Sequence, residues 1–165
     1  MTRWKAPRPK ASPYITQQGF HALENELQQH WIRRRSVVQA LAAAAAEGDR
    51  SENAEYIYRK KELRGIDRRI HYLQKRLPLL KVVTTVPNDQ DHVFFGAWIT
   101  LKKNQNEQVT YRIVGPDEFE RHKSFISLDS PLARLLLKKT FDDEITVRNE
   151  YGENRYLIMD INYEE

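Results

Sequence analysis

Four carboxylates, Glu47, Asp49, Glu52 and Glu55, fall within nine residues around Gly48. Carboxylate oxygens are what a hard cation such as Mg²⁺ takes as ligands, and exposed acids can hold such a cation inside another molecule's site. The same residues also suit a helix start. Asp49 can be an N-cap, Glu52 at N3 completes a capping-box-like pair, and acids there complement the helix dipole. The two roles are compatible, because a cap can use one oxygen while others face outward. Behind the acids stand Arg59, Lys60, Lys61, Arg64, Arg68 and Arg69, with Arg33, Arg34 and Arg35 on the preceding segment. Lys60, Arg64 and Arg68 repeat at i,i+4 and share one helical face. Only Glu62 and Asp67 compensate in this stretch, so a phosphate backbone is a fitting partner. A solvated coiled-coil surface is the plain alternative.

Other chemistries are poorly served. His21, His30, His71, His92 and His122 show no metal-ligand spacing, which argues against a protein-held zinc. The absence of cysteine excludes disulfides, thiolate ligands and thiol nucleophiles, and suits a cytoplasmic location. There is no Gly-rich phosphate loop and no GxSxG elbow. A self-contained active site is hard to build from these residues. Asp129-Ser130-Pro131 reads as a helix start with proline at the first position, or as a helix start displayed to a partner.

Two long helices must carry the acids. Phe20, Leu23, Leu27, Val37, Leu41 and Ala44 keep a 3-4 spacing, weakened at His30 and Arg34, with Trp31 and Val38 beside the seam as substitutes. Gly48 ends that helix. Tyr56, Leu63, Ile66, Ile70, Leu73, Leu77 and Leu80 make a second seam, which Pro78 breaks or bends. A short loop between them forces an antiparallel hairpin with the acids at its far end. Beyond Val86-Pro87-Asn88 the period becomes 2, with strands expected at 93–101, 108–114, 124–128, 144–148 and 155–163 and one short helix from Pro131 to about Lys139. In the last strand Leu157, Met159, Ile161 and Tyr163 share one expected face.

The 165 residues allow one ordinary domain or two small ones, and charge divides them. Residues 1–13 hold four cations and no acid, and read as a flexible basic leader. Residues 14–84, the coiled-coil domain with its acidic tip at 47–55, hold 13 Lys/Arg against 8 Asp/Glu; residues 85–165 hold 10 against 15. A basic first half suggests a polyanionic partner, RNA or DNA. No apolar run approaches the ~20 residues of a membrane span.

GDRSENAEY (48–56), RKKELRGIDRRIHYL (59–73), VFFGAW (93–98), RIVG (112–115) and FISLDSPLARLLLKK (125–139) closely resemble the Gre family of bacterial transcript cleavage factors, from about Tyr14 to the C-terminus. The basic patch and VFFGAW point to its B-type rather than its A-type members. The resemblance implies an α+β fold: an N-terminal antiparallel coiled-coil hairpin, then a small FKBP-like β-rich domain with one short helix, without isomerase activity. It implies a monomer that is not itself an enzyme. Its C-terminal domain would dock at the rim of the secondary channel of bacterial RNA polymerase through Asp129, Ser130 and Pro131. Its tip would reach the active centre of a backtracked complex. There Asp49 would help hold a second Mg²⁺ shared with the polymerase, and Glu52 would position or activate the attacking water, with Ser51 and Asn53 in support. The stripe Arg59, Lys60, Lys61, Arg64, Arg68 and Arg69 would bind the nascent RNA 3′ end, and no membrane is involved. A regulator that enters the same channel without promoting cleavage is the alternative, disfavoured by the intact acids. A free-standing RNA-binding coiled coil and a prolyl isomerase rank below it.

Overall fold

The computed structural model describes residues 8–48 and 52–164. The chain divides into two compact units, one of Gln18–Leu80 and one joining the residues up to Gln17 to those from Lys81 onward.

The first unit is a helical hairpin. Helix α1 spans Gln17–Ala46 and α2 spans Ala54–Arg76, followed by a 3-10 turn at Leu77–Leu79 where Pro78 removes a helical donor. Ion pairs between the helices join Glu26, near the start of α1, to Arg69, toward the end of α2, and Arg34 and Arg33, further along α1, to the earlier Asp67 and Glu62. Such pairing requires antiparallel helices. Val37, Ile66 and Ile70 form the buried centre, with Leu27 and Leu63 against them, and Leu23, Ala44 and Leu73 extend the seam. The expected substitutes at the weak point do not enter it, since Trp31 and Val38 stay exposed. A polar ladder closes the gap instead. The Glu26 carboxylate accepts from Arg69 Nε at 2.6 Å and Nη2 at 3.0 Å, and Arg34 Nε donates to Asp67 at 2.7 Å.

The second unit is built on a five-stranded sheet. Its strands are β3 (Trp98–Lys103), β4 (Glu107–Val114), β5 (Phe125–Ser127), β6 (Glu144–Asn149) and β7 (Gly152–Asn162), in spatial order β5-β4-β3-β7-β6. Within this sheet only β4 and β5 pair in parallel. A short helix, α3 (Pro131–Leu136), contributes Ala133 and Leu136 to a core with Ile99, Leu101, Ile113, Ile145 and Ile158. Two three-residue strands missing from the sequence reading, β1 (Tyr14–Thr16) and β2 (Lys81–Val83), pair in parallel beside the sheet.

Three expectations about this unit need correction, two on strands and one on its helix. The strand expected from residue 93 begins only at Trp98, because Gly96 takes φ +86° and turns the chain, while Val93 exchanges backbone bonds with Lys138 and Lys139. In β7, Leu101 pairs with Ile158 but Thr100 pairs with Asp160, so Met159 is left as a bulge. One extra residue exchanges the faces: Tyr156 and Ile158 point to the core before it, Ile161 and Tyr163 after it. Helix α3 ends at Leu136 rather than near 139, with Lys138 at φ +67°. The end of the leader is also tied down, since Pro13 O accepts from Lys81 N at 2.8 Å and Ser12 bonds to Asp129. Residues 1–7 of that leader lie outside the described residues.

Candidate functional site

Asn53 organises the end of the hairpin. Its Oδ1 accepts from Tyr56 N at 3.0 Å, capping α2, and its Nδ2 donates to Ala44 O at 2.8 Å in the last turn of α1. One amide side chain thus satisfies an orphan donor of one helix and gives a second donor to a C-terminal carbonyl of the other, which also accepts from Glu47 N at 3.3 Å. The N-cap of α2 is therefore Asn53, which corrects the capping-box reading of Asp49 and Glu52. Glu52 is not at N3; it immediately precedes the cap, exposed and with no bonding partner among the described residues. Glu47 is exposed as well. Glu55 is engaged: Arg59 Nε donates to it at 2.8 Å. Asp49 and Ser51 lie outside the described residues.

The six expected RNA-binding cations separate into two groups. Arg59 bonds Glu55 and Glu62, and Arg69 grips Glu26. Both therefore have structural work, and Arg33 and Arg59 together lower the pKa of Glu62, mainly through the Arg33 hydrogen bond and against partial desolvation. Lys60, Lys61, Arg64 and Arg68 are exposed and form no ion pairs among the described residues, with Lys60 5.8 Å from the Tyr56 ring centroid. Lys60, Arg64 and Arg68 continue at helical spacing into exposed His71 and Lys75, a face about 22 Å long at 1.5 Å per residue. The sequence reading stopped at Arg69 and missed this continuation, although the 3-4 spacing announced it.

In the second unit, Ser130 caps α3 by accepting from Ala133 N at 3.2 Å, and Pro131 is the first helical residue. Asp129 takes no part in the cap. Its Oδ2 accepts from Ser12 N at 2.8 Å, its Oδ1 accepts from the Ser12 hydroxyl, and its own N–H donates to Ser127 Oγ at 3.1 Å. No short-range sequence signal could reveal a partner 117 residues away.

Comparison with known proteins assigns both units. Residues 13–82 match the family model described as transcription elongation factor, N-terminal, and residues 87–163 match that described as transcription elongation factor, GreA/GreB, C-term. The chain belongs to the GreA/GreB family. Transcription elongation factor GreB of Xanthomonas axonopodis pv. citri is 52% identical over 99% of this chain and 98% of its own length. GreB of Yersinia pestis is 54% identical over 92% and 90%. Among solved structures, a GreA factor homologue of Thermus thermophilus has 19% identity and a TM-score of 0.42, covering 90% of this chain and 97% of its own. Membership in the GreA/GreB family rests on the sequence matches, and it makes this chain a transcription elongation factor. No helix among the described residues is long and apolar enough to cross a membrane.

Proposed function

We propose that this chain rescues backtracked RNA polymerase by inserting the hairpin end into the secondary channel and stimulating endonucleolytic cleavage of the nascent RNA 3′ end by the polymerase. The observation that carries the reading is the Asn53 clasp. Because Asn53 caps α2 and holds Ala44 O, Glu52 is released from helix work and stands exposed at the hairpin end. Family membership supplies the setting, a transcription elongation factor.

Among the described residues no three His, Cys, Asp or Glu side chains are grouped to hold a metal. One or two exposed carboxylates fit a shared site, because Mg²⁺ is commonly held by that number with substrate phosphates and water completing its shell. Asp49 and Glu52 would contribute oxygens, with the remaining ligands belonging to the polymerase. Bound there, Mg²⁺ would supply positive charge for the attacking and leaving oxygens of a phosphodiester displacement. Glu52 orients the attacking water by accepting its hydrogen bond. Lys60, Lys61, Arg64 and Arg68 hold the extruded RNA by phosphate contacts. The turn Asp129-Ser130-Pro131 docks the second unit on the channel rim.

The test uses a backtracked elongation complex with RNA labelled at its 5′ end, in Mg²⁺. The wild-type chain shortens the RNA and restores extension. Asp49→Ala and Glu52→Ala each reduce cleavage by about 100-fold or more, the scale of a positioned acid–base group, while polymerase binding persists. Cleavage by both variants at the wild-type rate would exclude the tip carboxylates. Polymerase binding by the wild type without cleavage would favour the non-cleaving channel regulator.

A further inference from the structure

We propose that Ser12 is a positioning residue of the polymerase-docking surface: it fixes the Asp129 carboxylate, so that this surface is composite, built from the end of the N-terminal segment and the turn before α3. The inference rests on the docking role proposed for Asp129-Ser130-Pro131.

Three observations carry it. First, Asp129 has no task in its own helix start, where Ser130 is the cap and Pro131 the first residue. Its two oxygens instead take both donors of one residue, Ser12, the backbone N–H and the hydroxyl. Second, Ser12 is a rigid donor. Pro13 O accepts from Lys81 N, Tyr14–Thr16 pair in register with Lys81–Val83, and Thr16 bonds Glu118. The segment that delivers the serine is therefore held at successive residues. Third, the carboxylate keeps capacity for a partner. An ionised carboxylate offers about four lone-pair sites, and Ser12 uses two of them. Asp129 is only partly buried, and its backbone N–H is already satisfied by Ser127.

A carboxylate on an open turn normally rotates, and freezing it on association costs affinity. Two intramolecular donors impose that order before the partner arrives. Losing the hydroxyl should then weaken polymerase binding by about 3- to 10-fold, the scale of one immobilised side chain.

The experiment measures equilibrium binding of the full chain to bacterial RNA polymerase for wild type, Ser12→Ala, Ser12→Thr, Asp129→Ala and Ser12→Ala/Asp129→Ala, with melting temperatures alongside. The expected result is weakening by Ser12→Ala at unchanged melting temperature, rescue by Thr, which keeps the hydroxyl, and no further effect of Ser12→Ala once Asp129 is gone. Four outcomes overturn the inference: tighter binding by Ser12→Ala, additive loss in the double variant, loss explained by a lowered melting temperature, or unchanged binding by Ser12→Ala while Asp129→Ala weakens it. That last pattern leaves the docking role of Asp129 standing. If Asp129→Ala binds like wild type, the docking reading itself fails, and this inference falls with it.

Discussion

Asn53 makes two bonds that belong to different helices, and its substitutions separate them. Asn53→Asp keeps the acceptor for Tyr56 N but loses the donor to Ala44 O, whereas Asn53→Ala loses both. Loss of the cap should destabilise the start of α2 by about 1 kcal/mol. In amide hydrogen exchange, Asn53→Ala should lose protection at Tyr56, and Asn53→Asp should retain most of it. If the clasp also holds Glu52 in place, both variants lower the cleavage rate at saturation without changing polymerase affinity. Equal exchange at Tyr56 in wild type and Asn53→Ala would remove the capping account. At this scale the sequence named the right segment and gave the capping task to the wrong residue. Ser/Thr/Asp/Asn all qualify as caps, and Asp49, Ser51 and Asn53 all occur in the sequence between the two apolar repeats. Which of them is used depends on where Ala44 O lies, and that is a tertiary fact.

Among the elements, the hairpin was legible and parts of the sheet were not. A 3-4 apolar repeat over two long segments determines helices and their direction once a short loop joins them. The bulge at Met159 has no comparable signal, because apolar residues stand on both sides of it and either alternation reads well. Strands β1 and β2, three residues each, are too short for any period to show. The ladder across the hairpin was legible only as charge, and it predicts a pH dependence. The Arg69 hydrogen bond, opposed by desolvation and reinforced by His30, lowers the pKa of Glu26. A depressed carboxylate stabilises the fold above its unfolded pKa, near 4.3, and loses that contribution as pH falls through its folded value. Helix melting of the hairpin should therefore shift downward between about pH 5 and pH 3, and Glu26→Gln should flatten the shift. With both side chains about a third exposed, solvent screening limits the effect to roughly 0.5–1 kcal/mol. An identical pH profile in Glu26→Gln would assign acid sensitivity to other carboxylates.

For the molecule as a whole, the decisive fact is where the chain leaves and re-enters the β-rich unit, at Gln17 and Lys81. Residues 12–16 precede the hairpin in sequence yet belong to the fold that follows it. Glu118, 1% exposed, accepts from Thr16 N at 3.0 Å, Thr16 Oγ1 at 2.6 Å and Gly115 N at 2.8 Å. Gly115 is required beside it: a Cβ there would stand 2.0 Å from Tyr14 O, so only glycine lets β1 approach. A chain cut to begin at Lys81 would leave β2 without its partner and Glu118 with one of its three donors. A buried acceptor that loses a partner costs about 1–3 kcal/mol, more when charged. Such a fragment should unfold at markedly lower urea than the same fragment with residues 8–17 restored through a flexible linker. Thr16→Val in the full chain isolates the hydroxyl, keeping shape and backbone N–H, and should lower the stability of the β-rich unit by about 1–3 kcal/mol. Equal urea midpoints for the bare fragment and the restored one would show instead that β1 is an ornament of that fold, and the rigidity assigned to Ser12 would lose its support.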